Sequence, residues 1–201
     1  MTGWRVYARG LLAVGVWVAF AGPALGQERV DGNVYRNPRY GIEIAKPSNW
    51  YFITAGTIFD LARKSPGGSR LRSTDDPVKA TGFAVVVSKV PALGRAFDPQ
   101  VILLVYDLPQ PPGGLAETCE GLRSGMSDPE TVTPTREVPL DGRTAARLDF
   151  RGSVDGAAVR ATALCALQGQ RAFVVVAQAL LKDFEGVASV FETILSSFRL
   201  K

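Results

Sequence analysis

The segment from Thr131 to Gln178 constrains the fold more than any other. Its strand-like blocks are separated by Asp141-Gly142, Asp155-Gly156 and Gln168-Gly169. Pairs of this kind supply the positive backbone angles that tight hairpins require. Between them run Thr131 to Leu140, Arg143 to Arg151, Ala157 to Leu167 and Arg171 to Gln178. The second block sends Thr144, Ala146, Leu148 and Phe150 one way and Arg143, Arg147, Asp149 and Arg151 the other. A period of two with one apolar face marks a strand. The expectation is a four-strand antiparallel meander whose apolar face something else must cover.

Two segments have the helical period to do so. Leu115, Cys119, Leu122 and Met126 lie along one stripe of a helix from Leu115 to Met126. Phe184, Val187, Ala188, Phe191, Ile194, Leu195 and Phe198 form a broader apolar face, with Asp183 in N-cap position before it. The fold class expected is therefore α+β, a mostly antiparallel β-sheet flanked by α-helices. Cys165 shares a strand face with Val159, Ala161, Ala163 and Leu167. If that face meets the Leu115 helix, Cys119 and Cys165 can bond.

The compartment bears on that pair. Residues 1–26 read as a signal peptide: Arg5 and Arg9, an apolar run from Leu11 to Ala21, the Gly22-Pro23 break and Ala24-Leu25-Gly26 before Gln27. The run is too short to span a bilayer, which takes about 20 residues, and no transmembrane segment is expected in the mature chain. The protein is expected to be exported, to a periplasm or an extracellular space. Two cysteines in an oxidising compartment argue for one disulfide, Cys119–Cys165; the alternative is two buried free thiols. Closing a loop of that length is worth about 4 kcal/mol on chain-entropy grounds. Arg5 and Arg9 supply half of the formal charge of +4, so the mature chain gives no global reason to expect the concentrated basic surface that nucleic-acid binding by counterion release demands, and none is expected.

Residues 27–34 read as a flexible lead-in and 35–201 as a single globular domain. Tyr40, Ile42 and Ile44 alternate in a strand that stops at Lys46-Pro47. Trp50 to Ile53 is apolar and aromatic. Thr57 to Arg63 suggests a short helix showing Ile58, Leu61 and Ala62 on one face. Lys64 to Thr81 reads as a long loop, with Pro66-Gly67-Gly68 and Asp75-Asp76-Pro77. Phe83 to Val87 and Val101 to Tyr106 are continuous apolar runs of the kind found in strands buried on both faces. Pro109, Pro111, Pro112 and Gly113-Gly114 separate the two halves.

Several of these residues carry a resemblance. Tyr40-Gly41-Ile42 running to Pro47 and Trp50, Phe97-Asp98-Pro99 before the Val101 strand, and the close from Phe191 to Ser197-Phe198-Arg199 resemble the PsbP-like family of α/β/α sandwiches. The likeness covers about Tyr35 to Lys201. That family includes an extrinsic photosystem II subunit, a nuclear-transport factor that binds a small GTPase, and many exported bacterial proteins. The resemblance implies a binding or accessory role without catalysis, and no residue of either partner surface carries over.

The residues themselves point away from chemistry. The chain has no histidine, which removes Ser-His-Asp and Cys-His catalysis and the commonest transition-metal ligand. No Ser-x-x-Lys pair, nucleophile elbow or phosphate loop is present. Asp75-Asp76 reads as a turn before Pro77, and no grouped carboxylates suggest a hard-cation site. No catalytic residue, metal ligand or cofactor is expected. Arginines are the contact candidates. Arg143, Arg147 and Arg151 share a strand face, with Arg160 across the next turn; such a strip could meet an acidic envelope protein or an anionic surface, against the blander reading of a solvated sheet face. Arg63, Lys64, Arg70, Arg72 and Lys79 decorate the long loop. The expected function is a non-catalytic exported accessory or interaction protein of the cell envelope. The rival is a carrier of a small apolar or lipidic ligand held between sheet and helix, near Trp50, Tyr51, Phe52 and Phe59.

Overall fold

The computed structural model describes residues 28–64, 76–91, 97–108 and 114–201. The segment read as a signal peptide lies outside them, as do Arg70, Arg72 and Asp75. The chain order is β1 (Arg29–Asp31), β2 (Val34–Asn37), β3 (Ile42–Ala45), β4 (Tyr51–Thr54), α1 (Ala55–Lys64), α2 (Pro77–Thr81), β5 (Phe83–Ser88) and β6 (Gln100–Asp107). It continues with α3 (Leu115–Glu120), β7 (Ser127–Leu140), β8 (Arg143–Val154), β9 (Ala157–Gln168), β10 (Arg171–Leu180), α4 (Leu181–Phe184), α5 (Ala188–Ser197) and β11 (Arg199–Leu200).

The meander is the larger part of a seven-stranded sheet ordered β4-β5-β6-β10-β9-β8-β7, with every pairing antiparallel. Its first two turns have both central residues at positive φ: Asp141 at 48° and Gly142 at 74°, Asp155 at 50° and Gly156 at 79°. The third turn falls one residue later than expected. β9 runs through Gln168, and only Gly169 is at positive φ, 62°. One glycine at the first central position suffices there, as in a type II′ turn.

Helices cover both faces. On one, α4 and α5 bring Phe184, Phe191, Ile194 and Leu195 onto Val85, Leu103, Phe173 and Val175. On the other, Cys119 of α3 packs with Leu148, Phe150, Ala163, Cys165 and Val174. The two cysteines form a disulfide with Cα atoms 5.7 Å apart, tying α3 to β9. β6 serves the first face with Val101, Leu103 and Val105, while Ile102 and Leu104 on the second are only half-buried. Burial on both sides, expected of both runs, is met by β5, whose Ala84 to Ser88 are all buried, and by β6 on one side only.

Several elements differ from expectation. The helix expected over Leu115–Met126 ends at Glu120, where glycine follows, and Gly121–Gly125 continues as a 3-10 turn. The last helix is two: Gly186 interrupts it, Asp183 lies inside α4, and Val187 occupies the N-cap of α5. The apolar face persists through the break because Phe184, Val187 and Phe191 are all buried. In α1 Ala55 and Phe59 are buried, whereas Leu61, expected on the covered face, is exposed; the Ala62 side chain lies outside those described. Of the long loop, Pro77–Thr81 is helical: Asp76 caps α2 by accepting from the Val78 and Lys79 amides, with proline in its first turn.

The segment 27–34, expected as a flexible lead-in, holds β1 and the start of β2, a hairpin turning at Gly32. It belongs to a second sheet, β1-β2-β3-β11. Tyr35, wholly buried, anchors this sheet; its hydroxyl lies 2.8 Å from Glu28 Oε2 and 3.0 Å from the Ala84 carbonyl. The chain end closes the fold. Leu200 N donates to Asp141 Oδ2 at 2.9 Å, so β11 is held both to β3 and to a hairpin turn of the large sheet.

Candidate functional site

The arginine strip lies on the face covered by α4 and α5, and carboxylates distant in sequence neutralise most of it. Arg147 Nη1 donates to Glu192 Oε2 at 2.8 Å, and its other terminal nitrogen lies 3.6 Å from Asp149. The Glu192 carboxylate holds the Arg147 guanidinium above its ordinary pKa. Arg151 makes a bidentate contact with Glu130 of β7, both bonds 2.8 Å. Arg160 pairs with Glu185 and stacks over the Phe184 ring at 4.6 Å. Only Arg143 of this group stands exposed without an ion pair among the described residues. Asp149 is itself buried, accepting from the Thr162 hydroxyl. Of the basic loop, Arg63 covers the Phe59 ring at 5.4 Å, and Lys64 and Lys79 are exposed.

The aromatics proposed as a ligand cradle do not form one. Trp50 meets Phe191 edge-on in the core at 6.0 Å, Phe52 leans on Tyr35, and Phe59 is buried, whereas Tyr51 is exposed.

A different cluster forms where β6 ends and β10 begins, beside α2 and α3. Tyr40, buried just ahead of β3, donates its hydroxyl to Asp76 Oδ2 at 2.6 Å. The same oxygen lies 3.2 Å from Arg39 Nη1, while Asp76 Oδ1 caps α2. Burial first, and the Asp76 hydrogen bond second, push the Tyr40 phenol well above its ordinary pKa. Arg171 stacks on the Tyr40 ring at 5.0 Å and donates from Nε to Asp107 at 2.8 Å.

Beside this cluster Tyr106 projects from the end of β6, 40% exposed. It walls two cavities. One, of 420 Å³, is lined by Tyr40, Lys79, Thr81, Gly82 and Asp107. The other, of 330 Å³, runs between β10 and α3 past Leu108, Leu122, Ala172 and Val174, with Glu117 and Thr118 on its rim. Gly82 matters to this arrangement: a Cβ there would stand 3.3 Å from the Tyr106 ring. Partial burial raises the Tyr106 phenol pKa.

Sequence reasoning missed Tyr40, Asp76 and Tyr106 as a group because they lie on separate elements. The one available signal was Asp76-Pro77, an N-cap followed by a proline suited to a first turn. A further cavity of 250 Å³ beneath α5 contains Arg147 and Arg199, both already held by carboxylates. Among the described residues no group of histidine, cysteine, aspartate or glutamate could hold a metal ion, and no helix is long and apolar enough to cross a membrane.

No protein-family model matches the chain, and no curated protein does. Solved structures do. The chain is similar to the solution structure of cyanobacterial PsbP (CyanoP) from Synechocystis sp. PCC 6803, with a TM-score of 0.52 at 16% identity, covering 90% of this chain and 96% of that one. It is also similar to the crystal structure of LpqN, involved in cell envelope biogenesis of Mycobacterium tuberculosis, with a TM-score of 0.50 at 14% identity, covering 86% and 90%. Two antiparallel sheets with helices on both faces of the larger one, matched over most of the chain at these scores, give this protein a PsbP-like fold.

Proposed function

We propose that this is a non-catalytic, exported accessory protein of the cell envelope that acts by binding, through the end of the sheet around Tyr106. The observation that carries this reading is the contrast between two basic surfaces. The arginine strip spends most of its charge on Glu130, Glu185 and Glu192. The Tyr106 cleft keeps an exposed aromatic ring beside Lys79, whose ammonium has no carboxylate partner among the described residues. Exposed tyrosine is enriched in recognition surfaces, and a cation beside it suits an anionic partner. The disulfide suits an oxidising compartment, and LpqN, of similar fold, is described as involved in cell envelope biogenesis.

The test is capture of partners from extracts of the native envelope with the purified mature chain. The double variant Lys79→Glu/Tyr106→Ala should lose what the wild type retains, while Arg143→Glu/Arg151→Glu should keep it. Retention by the first pair and loss by the second would return the contact surface to the strip.

A further inference from the structure

We infer that the two cavities sharing Tyr106 form one binding site for a small amphipathic anion, its headgroup at Lys79 and its hydrocarbon part between β10 and α3. This rests on the reading of the protein as a binding module and names the ligand class. The two cavities differ in chemistry in the way such a ligand requires. The 420 Å³ lobe is edged by Lys79, Thr81, the Tyr40 ring and Asp107, whose carboxylate is taken up by Arg171. Arg39 and Arg171 flank that ring with their charges engaged by Asp76 and Asp107. Lys79 is therefore the cation there with no carboxylate partner among the described residues. Its position on α2 is set by the Asp76 cap, so the ammonium stem starts from a fixed backbone.

The 330 Å³ lobe is predominantly aliphatic: Leu108, Leu122, Ala172 and Val174 form its floor and sides. Its depth is held by the Cys119–Cys165 bond, which fixes α3 one residue from Thr118 on the rim. Each lobe falls in the size range of small-molecule sites, about 300–1,000 Å³. The half-exposed Tyr106 ring bridges them, offering an apolar face to a chain and a hydroxyl to a headgroup. An inorganic anion would fill only the first lobe and a neutral amphiphile only the second.

Titration calorimetry on the disulfide-bonded mature chain tests this with four probes below their micelle concentrations: decyl phosphate, decanoate, decyl glucoside and inorganic phosphate. Decyl phosphate, decanoate or both should bind saturably with one molecule per chain, and the stronger of the two identifies the headgroup. Decyl glucoside and inorganic phosphate should each bind at least about tenfold more weakly, the factor expected on losing a charge-assisted contact or a buried hydrocarbon segment. Lys79→Glu and Leu122→Ser should each weaken binding by about tenfold or more, and Arg151→Glu should not. Absence of binding by both anions, or wild-type affinity in Lys79→Glu, overturns the inference. Lys79 is exposed, so this variant decides the matter even where Leu122→Ser does not fold. If no probe binds yet Lys79→Glu/Tyr106→Ala abolishes envelope capture, the ligand class fails and the binding-module reading stands; no probe binding together with unchanged capture by that variant sinks both.

Discussion

Reduction of the Cys119–Cys165 bond should destabilise the protein and release α3 before the rest. The cross-link spans 46 positions. Removing it restores to the unfolded chain about 13 cal/mol/K of conformational entropy, or about 4 kcal/mol at 25 °C. That figure is an upper bound, because residual structure in the reduced unfolded chain lowers it. For a chain of this size the corresponding fall in Tm is roughly 8–16 °C. The loss has a local side. α3 has six residues, well short of the roughly 12–15 at which an isolated helix becomes even marginally stable. It is held by Cys119, Leu115 and Leu122 against the second face of the sheet. Urea unfolding of oxidised and reduced wild type at one pH gives the global figure. Hydrogen exchange at Thr118, whose amide donates to Gly114 O at 3.2 Å, gives the local one and should accelerate well ahead of amides in β9 and β10. Oxidised and reduced forms that unfold within about 1 kcal/mol of each other, or a Thr118 amide equally protected in both, would refute the argument that the bond holds α3 in place.

Three further outcomes follow from the packing. Gly41→Ala should cost at least about 2 kcal/mol in urea unfolding, since Gly41 is at φ 65° and a Cβ would stand 2.5 Å from the Lys201 carbonyl oxygen; a neutral result would mean that β11 is not seated. Stability should fall as pH rises above about 10, the ordinary phenol range, because Tyr35 and Tyr40 are held protonated chiefly by burial. With folded pKa values raised, their contribution is fully present below the unfolded pKa and is lost towards the folded one, at up to about 1.4 kcal/mol per pH unit each; Tyr35→Phe should flatten the urea-midpoint profile between pH 9 and about 11, and an unchanged slope would count against it. A double-mutant cycle on Arg147 and Glu192 should return about 0–1 kcal/mol, since the Glu192 side chain is 53% exposed; a coupling above about 2 kcal/mol would give that pair a structural weight denied to it here.

How far the fold could be read in advance varies with the range of the interactions that set it. The meander was legible because hairpin pairing is local: Asp141-Gly142 and Asp155-Gly156 fix turn and register within a few residues. The β1–β2 hairpin is not legible because its strands are short and their polar residues alternate without a long apolar face. The splitting of the last helix was not legible either, since Phe184 through Phe198 keep their period across Gly186 while the backbone turns. In α1, propensity indicated a helix, but which side became buried depended on β5, a separate segment of the chain.

The candidate site divides along the same line. By itself the amino-acid sequence determined the α+β class, the four meander strands, the facing of Cys119 and Cys165, and the absence of histidine chemistry; each follows from period, turn residues or composition. Only the tertiary structure decided which charges are free. Arg147 and Arg151 share a strand face by spacing alone and Arg160 lies across from Arg151 on the next strand, yet Glu192, Glu130 and Glu185 reach them from other elements. Tyr40, Asp76, Arg171 and Tyr106 come from separate segments and meet only when the end of β6 lies beside the start of β10. Coulombic and hydrogen-bond partners are chosen by distance in space, and periodicity along a chain carries no record of that.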